Sequence, residues 1–428
     1  MKTVPERRLI TQRLDNINPL DIQSAFLQGA YEGLKTVLKW DRLDVIDEIE
    51  KSKLRGRGGA GFPVAIKMTA LAKEKDTPKY LVCNADEGEP GNFKDRYLME
   101  HDPHMILEGM LLSAYATHAT KGYIYIRGEY DESIQIMNHA IKQMREHDLL
   151  GEHILGSKFA FNLEVRSGAG SYVCGEEFAL LESIEGKAGR TRVKPPFPTS
   201  RGLFNKPTLI NNVETFATLP TIIKMGGEAY SQIGTPSSTG TKLISLSGNV
   251  KKKGVYEIPF GITMRDVITK LGGGVPNNRK IKMVQLGGAC GPMIPEYMLD
   301  MIIDFERFEE FESKCGAGAI IVIDDRFDLF DLLVKVSEFF THESCGKCTP
   351  CREGNFQLVN VLKKFQNKQA TEKDLISLES QARVMHQTAL CGLGQTAPTA
   401  IISTLHYFRW EFINRIEESI SRGGTLNA

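Results

Sequence analysis

The chain has 428 residues, 41% hydrophobic and 25% charged, which is more than one hydrophobic core usually serves, so two to four domains of ordinary globular composition are expected. Lys plus Arg and Asp plus Glu balance at 53 each, which argues against nucleic acid or a lipid surface as the main partner. No apolar run approaches the roughly 18 residues of a membrane span, and the opening MKTVPERRLITQRLDNINPL lacks the apolar core and cleavage site of a signal peptide.

Residues 1 to about 38 show little periodicity and read as an arm that packs over other elements. Leu43, Ile46, Ile49 and Leu54 then mark a helix that ends at the Gly-rich stretch Arg55-Gly-Arg-Gly-Gly-Ala-Gly61, and Pro63 opens a second helix over 64–75. The stretch contains a literal GxGxxG from Gly56 to Gly61. The dinucleotide fingerprint needs a strand before it, whereas a helix precedes it here, so the ordinary form of that fold is excluded. A loop of this kind still lets a phosphate-bearing ligand approach backbone N–H groups at a helix start; a flexible turn is the plainer alternative.

Tyr80 to Asn84 reads as a short strand ending in Asn84-Ala-Asp86-Glu87-Gly-Glu89-Pro-Gly-Asn-Phe-Lys-Asp-Arg96, with polar groups where open α/β sheets bind ligands. A second strand over 122–127, a helix over 131–147 and a third strand carrying Phe159, Phe161, Leu163 and Val165 imply a parallel sheet. That strand runs into Ser167-Gly-Ala-Gly-Ser-Tyr-Val-Cys-Gly175-Glu176-Glu177, a Gly-rich loop between strand and helix with room for phosphate or a flat ring. The two acids also suit the helix dipole without any ligand. Arg190 to Pro198 is a stiff basic loop bearing Lys194 and Phe197, able to clamp an anion or simply to cover the surface.

From Gly240 short strands (242–247, 254–258, 283–286, 319–324) surround a helix near 264–271, a small α+β unit of β-grasp type. From Arg326 the pattern is helical, over 326–341, 354–367, 372–388 and 397–418, a four-helix bundle with cysteines in its loops and a loose tail from Ser421. Eight cysteines in this pattern indicate a reducing interior and not a disulfide framework. Cys345, Cys348 and Cys351 stand at i, i+3 and i+6, and Cys391 is the natural fourth ligand if the intervening helices form a hairpin. This spacing favours a [4Fe-4S] cluster over zinc, whose structural ligands usually come as two pairs. Cys83, Cys174, Cys290 and Cys315 read as small core filler.

RGRGGAGFP at 55–63, NADEGEPGNFKDR at 84–96, GAGSYVCGEE at 168–177, and ESCGKCTPCREG with CGLGQTAP together resemble the NADH-binding, FMN-carrying subunit (the 51 kDa or F type) of respiratory complex I, NADH:quinone oxidoreductase. The resemblance spans nearly the whole chain. It implies a multidomain α/β protein: a Rossmann-like FMN- and NADH-binding domain with the arm (1–239), a β-grasp domain (240–325) and a helical bundle with the [4Fe-4S] cluster (326–428). It further implies that Gly56, Arg57, Gly58, Gly59 and Lys67 contact FMN, and that Asn84, Asp86, Glu87, Gly175, Glu176, Glu177, Asn211 and Asn212 complete the flavin pocket with Tyr172 nearby. For NADH it implies Phe62, Glu89, Glu177, Lys194 and Phe197, with Glu89 and Glu177 as the candidate catalytic acids; Ala70 stands where a further family aromatic is expected, which thins the adenine contact. Cys345, Cys348, Cys351 and Cys391 match the cluster ligands. The implied chemistry is hydride transfer from NADH to FMN and single electrons onward to iron-sulfur clusters and quinone. Implied partners are a thioredoxin-like [2Fe-2S] subunit and a large multi-cluster iron-sulfur subunit, with no nucleic acid. The implied location is peripheral, on the cytoplasmic or matrix side of the membrane. A diaphorase subunit of an NAD-linked hydrogenase or formate dehydrogenase is the alternative, and a zinc-holding scaffold without catalysis a third.

Overall fold

The computed structural model describes residues 6–309 and 316–421. Four parallel strands, β1 (Tyr80–Ala85), β2 (Lys121–Ile126), β3 (Asn162–Ser167) and β4 (Thr208–Asn212), form the first sheet in the order β3-β2-β1-β4. The near-continuous apolar runs Leu81-Val-Cys and Tyr123-Ile-Tyr-Ile are buried, as expected for a sheet covered on both faces. The helix Pro103–Thr117 is buried at every residue, its few polar side chains His104, Glu108, Ser113 and Thr117 included, so its sequence shows no amphipathic period. Asp102 caps it, accepting from Met105 N at 3.1 Å, with Pro103 at the first position. Gly109 brings this helix onto the helix Val213–Met225: a Cβ there would stand 1.9 Å from the Phe216 carbonyl oxygen.

The second sheet holds β5 (Thr241–Gly248), β6 (Gly254–Pro259), β7 (Ile281–Leu286), β8 (Met293–Pro295) and β9 (Ala319–Asp324), in the order β6-β5-β9-β7-β8. β5 and β9 pair parallel and the other pairs are antiparallel. Its helix starts at Met264–Asp266 and continues as a π turn over Val267–Leu271. The C-terminal helices run Leu329–Glu343, Thr349–Gln366, Glu372–Thr388, Gly392–Thr396, Thr399–Tyr407 and Arg409–Ser421. Three expectations change here. The second of these helices begins five residues early, so Cys351 lies in its first turn and not in a loop; the short helix Gly392–Thr396 follows Cys391 where a loop was expected; and the last expected helix is two, broken at Phe408. The tail beyond Ser421 and Cys315 lie outside the described residues.

A buried charge knot joins the two sheets. Glu214, near the start of the helix after β4, receives Lys242 of β5 at 2.6 Å and Lys94 of the helix Lys94–His101 at 3.0 Å, and its other oxygen accepts the Leu243 amide at 2.8 Å. Burial pushes the Glu214 carboxyl up, but Lys242 and Lys94 outweigh it and hold the group below its ordinary value. The arm spans both sheets. Arg13 pairs with buried Asp102, and Leu9, Ile10 and Thr11 direct their amides, with the Thr11 hydroxyl, onto Glu257 of β6, which also receives the Thr241 hydroxyl.

Glu214→Gln removes the charge that both lysines share and is expected to cost about 3–5 kcal/mol, read as a lower thermal midpoint in circular dichroism. Because the native carboxyl is depressed, its contribution is present at neutral pH and is lost as pH falls through the folded value, so the gap between variant and native narrows in acid. Glu32→Gln, which breaks an exposed pair with Lys35, should leave the midpoint in place.

Candidate functional site

In the order β3-β2-β1-β4 the chain runs outward from β1 in one direction and then places β4 on the other side of β1. The crevice at the carboxyl ends of β1 and β4 is therefore a topological switch point, where open α/β sheets bind ligands. Asn84 and Asn212 are neighbours there, as are Cys83 and Asn211. Asn84 donates to the Gly175 carbonyl at 2.9 Å and accepts from the Asp86 amide at 3.1 Å, which draws the second Gly-rich loop onto β1. Lys67, on the helix Val64–Lys73, donates to Asn211 Oδ1 at 2.5 Å and to the Ile210 carbonyl at 2.8 Å. Gly58 of the first Gly-rich loop faces the same place: a Cβ there would be 3.0 Å from Asn212 Cβ.

Two polar atoms in this crevice are buried and, among the described residues, have no hydrogen-bond partner: Asp86 Oδ2 and Asn211 Nδ2. Burial pushes the Asp86 carboxyl up to about 7, against the pull of Arg127, and pushes Lys67 down to about 8, against Glu177. An unpaired buried acceptor and donor beside open glycine backbone fit a flat ligand that brings its own polar edge.

Other expected site residues are engaged elsewhere. The Glu87 carboxylate accepts the Asp95 and Arg96 amides at 2.9 and 3.0 Å and so caps the helix Lys94–His101. Glu176 caps the helix Glu177–Ile184 through the Phe178 and Ala179 amides, and Lys194 pairs with both Glu176, at 3.0 Å, and Glu177. Asn212 caps the helix after β4 and donates to Asp95 at 2.6 Å. The Arg57 guanidinium leaves the crevice and ends on the Thr239 carbonyl at 2.6 Å over the Phe260 ring, and the Arg57 amide donates to Thr215 Oγ1 at 2.9 Å. Gly59, at φ 118°, packs on the Gly316 backbone, which makes it a contact between sheet regions. Glu89 accepts from Tyr172 Oη at 2.6 Å and from the Cys290 amide at 3.0 Å. Phe62 and Phe197 are exposed, at 50% and 57% of their surface, two large rings left free to stack.

Cys345, Cys348, Cys351 and Cys391 line one small pocket with Ser344, Lys347 and Val173. The Asn355 amide donates to Cys351 Sγ and Ser344 Oγ lies on the same sulfur, each at 3.3 Å. Burial pushes the Cys351 thiol up to about 11, Ser344 opposes that, and the other three thiols add to it. Among the described residues no group of three or more His, Cys, Asp or Glu side chains is gathered for a single metal ion. Four thiols around a shared pocket are the donor set of a larger iron-sulfur core. Val173 belongs to the turn Tyr172–Gly175, so one turn reaches both the crevice and this pocket. Cys83 and Cys174 are buried as expected, and Cys290 is part-buried and packed against the core while its backbone amide faces Glu89. Lys94, Asp95, Glu214 and Lys242 form an ion-paired cluster beside the crevice that the sequence does not single out; the three consecutive charges Lys94-Asp95-Arg96 are the available signal.

Residues 49–221 match the Nuo51 FMN-binding domain, and residues 331–415 match the NADH-ubiquinone oxidoreductase-F iron-sulfur binding region. The second F-type subunit of the NADH-quinone oxidoreductase of Rhizobium meliloti (strain 1021) is 45% identical over 91% of this chain and 93% of its own length. The F-type subunit of the NADH-quinone oxidoreductase of Escherichia coli (strain K12) is 38% identical over 99% and 96%. The HndC subunit of the NADP-reducing hydrogenase of Solidesulfovibrio fructosivorans is 44% identical over 96% of this chain and 84% of its own. Among solved structures, an NAD+-reducing [NiFe]-hydrogenase in the H2-reduced state superposes with a TM-score of 0.85 at 33% identity, covering 97% of this chain and 68% of that one.

A raised carboxyl contributes its stability in full below the ordinary value, near 4, and loses it as pH rises through the folded value. Asp86→Asn should therefore flatten the fall in thermal midpoint of the flavin-free protein between pH 5 and pH 8. Glu87 and Glu108, both also raised to about 7 by burial, keep the remaining slope in both proteins. Equal slopes would contradict a buried, partnerless Asp86 carboxyl.

Proposed function

This chain belongs to the family of F-type NADH-quinone oxidoreductase subunits, NADH-oxidising flavoproteins carrying FMN and a [4Fe-4S] cluster, and from that premise we propose how its residues divide the work. FMN lies in the crevice between β1 and β4, with Asp86 Oδ2 and Asn211 Nδ2 on its polar edge, Lys67 and Asn84 beside it, and the backbone of Gly56, Arg57, Gly58 and Gly175 against it. The observation that carries this reading is the buried, partnerless pair Asp86 Oδ2 and Asn211 Nδ2 at a switch point. Glu87, Glu176 and Asn212 hold helix starts around the pocket, and the contribution of Gly59 is to seat the loop.

Bound FMN supplies the conversion between a two-electron hydride donor and a one-electron acceptor. The chain's own share is placement. Glu89, Glu177, Lys194 and Tyr172 present polar groups to the nucleotide, and the exposed rings of Phe62 and Phe197 offer stacking faces for the adenine. Lys194 neutralises Glu176 and Glu177, so the pocket is less negative than its sequence suggests. Asp86, whose carboxyl burial pushes up from its ordinary value, can hold a proton. Cys345, Cys348, Cys351 and Cys391 hold the cluster, and the turn Tyr172–Gly175 keeps it next to the flavin.

We further propose domains at 1–239, 240–325 and 326–428, the second of β-grasp type, in a multi-subunit complex beside a thioredoxin-like [2Fe-2S] subunit and a large multi-cluster subunit. Among the described residues no helix is long and apolar enough to cross a membrane, consistent with a peripheral place in that complex. A second reading sends the electrons to or from a hydrogenase; the 44% identity to a hydrogenase subunit favours it, and the neighbouring chains in the purified complex decide.

Anaerobic purification followed by flavin, iron and sulfide analysis should give one FMN and about four irons per chain, with a paramagnetic signal appearing on NADH addition. Zinc without labile sulfide would sink the cluster assignment. Cys391→Ala is expected to lose or degrade the cluster while FMN stays and NADH:ferricyanide activity largely persists; loss of FMN as well would contradict separate sites. Glu89→Gln should raise KM for NADH with kcat little changed, since a contact to the nucleotide away from the reacting carbon serves ground and transition states alike. A collapsed kcat at unchanged KM would put Glu89 at the hydride instead.

A further inference from the structure

The β7–β8 turn, Gly287-Gly-Ala-Cys-Gly291, belongs to the second sheet region, yet it reaches across to the acidic loop after β1. Its geometry is fixed from several sides. The Gly287 amide donates to the Ala319 carbonyl of β9 at 2.7 Å, and the Gly291 amide donates to the Gly288 carbonyl at 3.0 Å. A closed turn anchored to its own sheet leaves the Cys290 amide one direction to point, and it points at Glu89 Oε1, 3.0 Å away. The other Glu89 oxygen accepts from Tyr172 Oη at 2.6 Å.

Gly288 is required by the same contact. At φ 90° it occupies a backbone region that other residues rarely adopt, and a Cβ there would lie 2.3 Å from Glu89 Cγ and 2.6 Å from Oε1. Tyr172 is held in turn: its ring packs edge-on to Phe339 and Phe340, and its amide donates to Glu343 at 2.9 Å, two residues before Cys345. Glu89 is thus oriented by one donor from the second sheet and one from the turn that borders the cluster pocket.

We infer that the Gly287–Gly291 turn is part of the nucleotide-oxidising machinery, with Gly288 and Cys290 as positioning residues that aim the Glu89 carboxylate at the bound nucleotide. This rests on the reading of Glu89 as a nucleotide contact. A carboxylate already turned and held by two donors meets the nucleotide without the cost of being ordered on binding; freed from the turn, it binds more weakly and leaves the chemical step alone.

The test uses the purified holoprotein with ferricyanide as acceptor, with flavin and iron measured on each sample. Gly288→Ala displaces the carboxylate with a Cβ, and Cys290→Pro removes the amide donor and sets the ring Cδ where the amide hydrogen pointed, so that it too turns the carboxylate away. Either should raise KM for NADH about tenfold with kcat within about twofold and flavin and iron retained. Cys290→Ser, which keeps the amide, should restore KM to within about twofold of native. Glu89→Gln separates the two ideas: if it raises KM while both turn variants do not, the turn has no positioning role and the reading of Glu89 stands. If Glu89→Gln leaves KM unchanged, that reading fails and the inference with it. Loss of flavin or iron from both turn variants would also overturn the inference, because the turn would then be a general support for the fold.

Discussion

The Glu214 carboxylate and the two buried lysines that share it set the geometry on which the rest depends. Lys94 follows β1 and Glu214 follows β4, the two strands that flank the switch point, while Lys242 belongs to the second sheet. Lys94 also reaches Asp95 at 2.6 Å and Asn212 at 3.1 Å, so the positive charges find negative or carbonyl partners on every side. Isolated buried charge is prohibitive, whereas a closed set with mutual hydrogen bonds tolerates only one arrangement. The backbone ladder sets the separation of β1 and β4, and the charge knot ties the segments that follow them to each other and to β5 of the second sheet.

With the frame fixed, the polar residues of the crevice divide into groups that the linear motif does not distinguish. Glu87, Glu176 and Asn212 satisfy helix N–H groups, Glu177 and Lys194 satisfy each other, and Asp86 and Asn211 keep an atom free. An acid within a motif is thus no guide to whether its carboxylate meets ligand; what its oxygens accept decides.

Much of the fold is legible in the sequence. Apolar runs locate β1 and β2, alternation locates β3 only in part because Phe159 and Phe161 precede the strand, and the cysteine spacing locates the four thiols that share a pocket. β4 escapes because Thr208-Leu-Ile-Asn-Asn212 is five residues long and half polar at the site, and β8 because three residues carry no period. The helix Pro103–Thr117 has no polar face to betray it. Pro350 marks the early start of the helix bearing Cys351, a signal that helical periodicity alone overlooks, whereas nothing local announces the break at Phe408. Side-chain direction is the least legible of all. Arg57 sits in a Gly-rich loop that faces the crevice, and the long-range partners Thr239, Tyr230 and Phe260, with the nearby Arg55 carbonyl, turn its guanidinium away.

The arm carries a consequence for how the chain is made. Five donors converge on the Glu257 carboxylate, four of them from Leu9 to Thr11, across some 248 positions of sequence. On the ribosome that seam cannot close until β6 has emerged. The arm therefore settles only after the first sheet and β5 and β6 have been made, and until then the amides of Leu9 to Thr11 lack the Glu257 carboxylate.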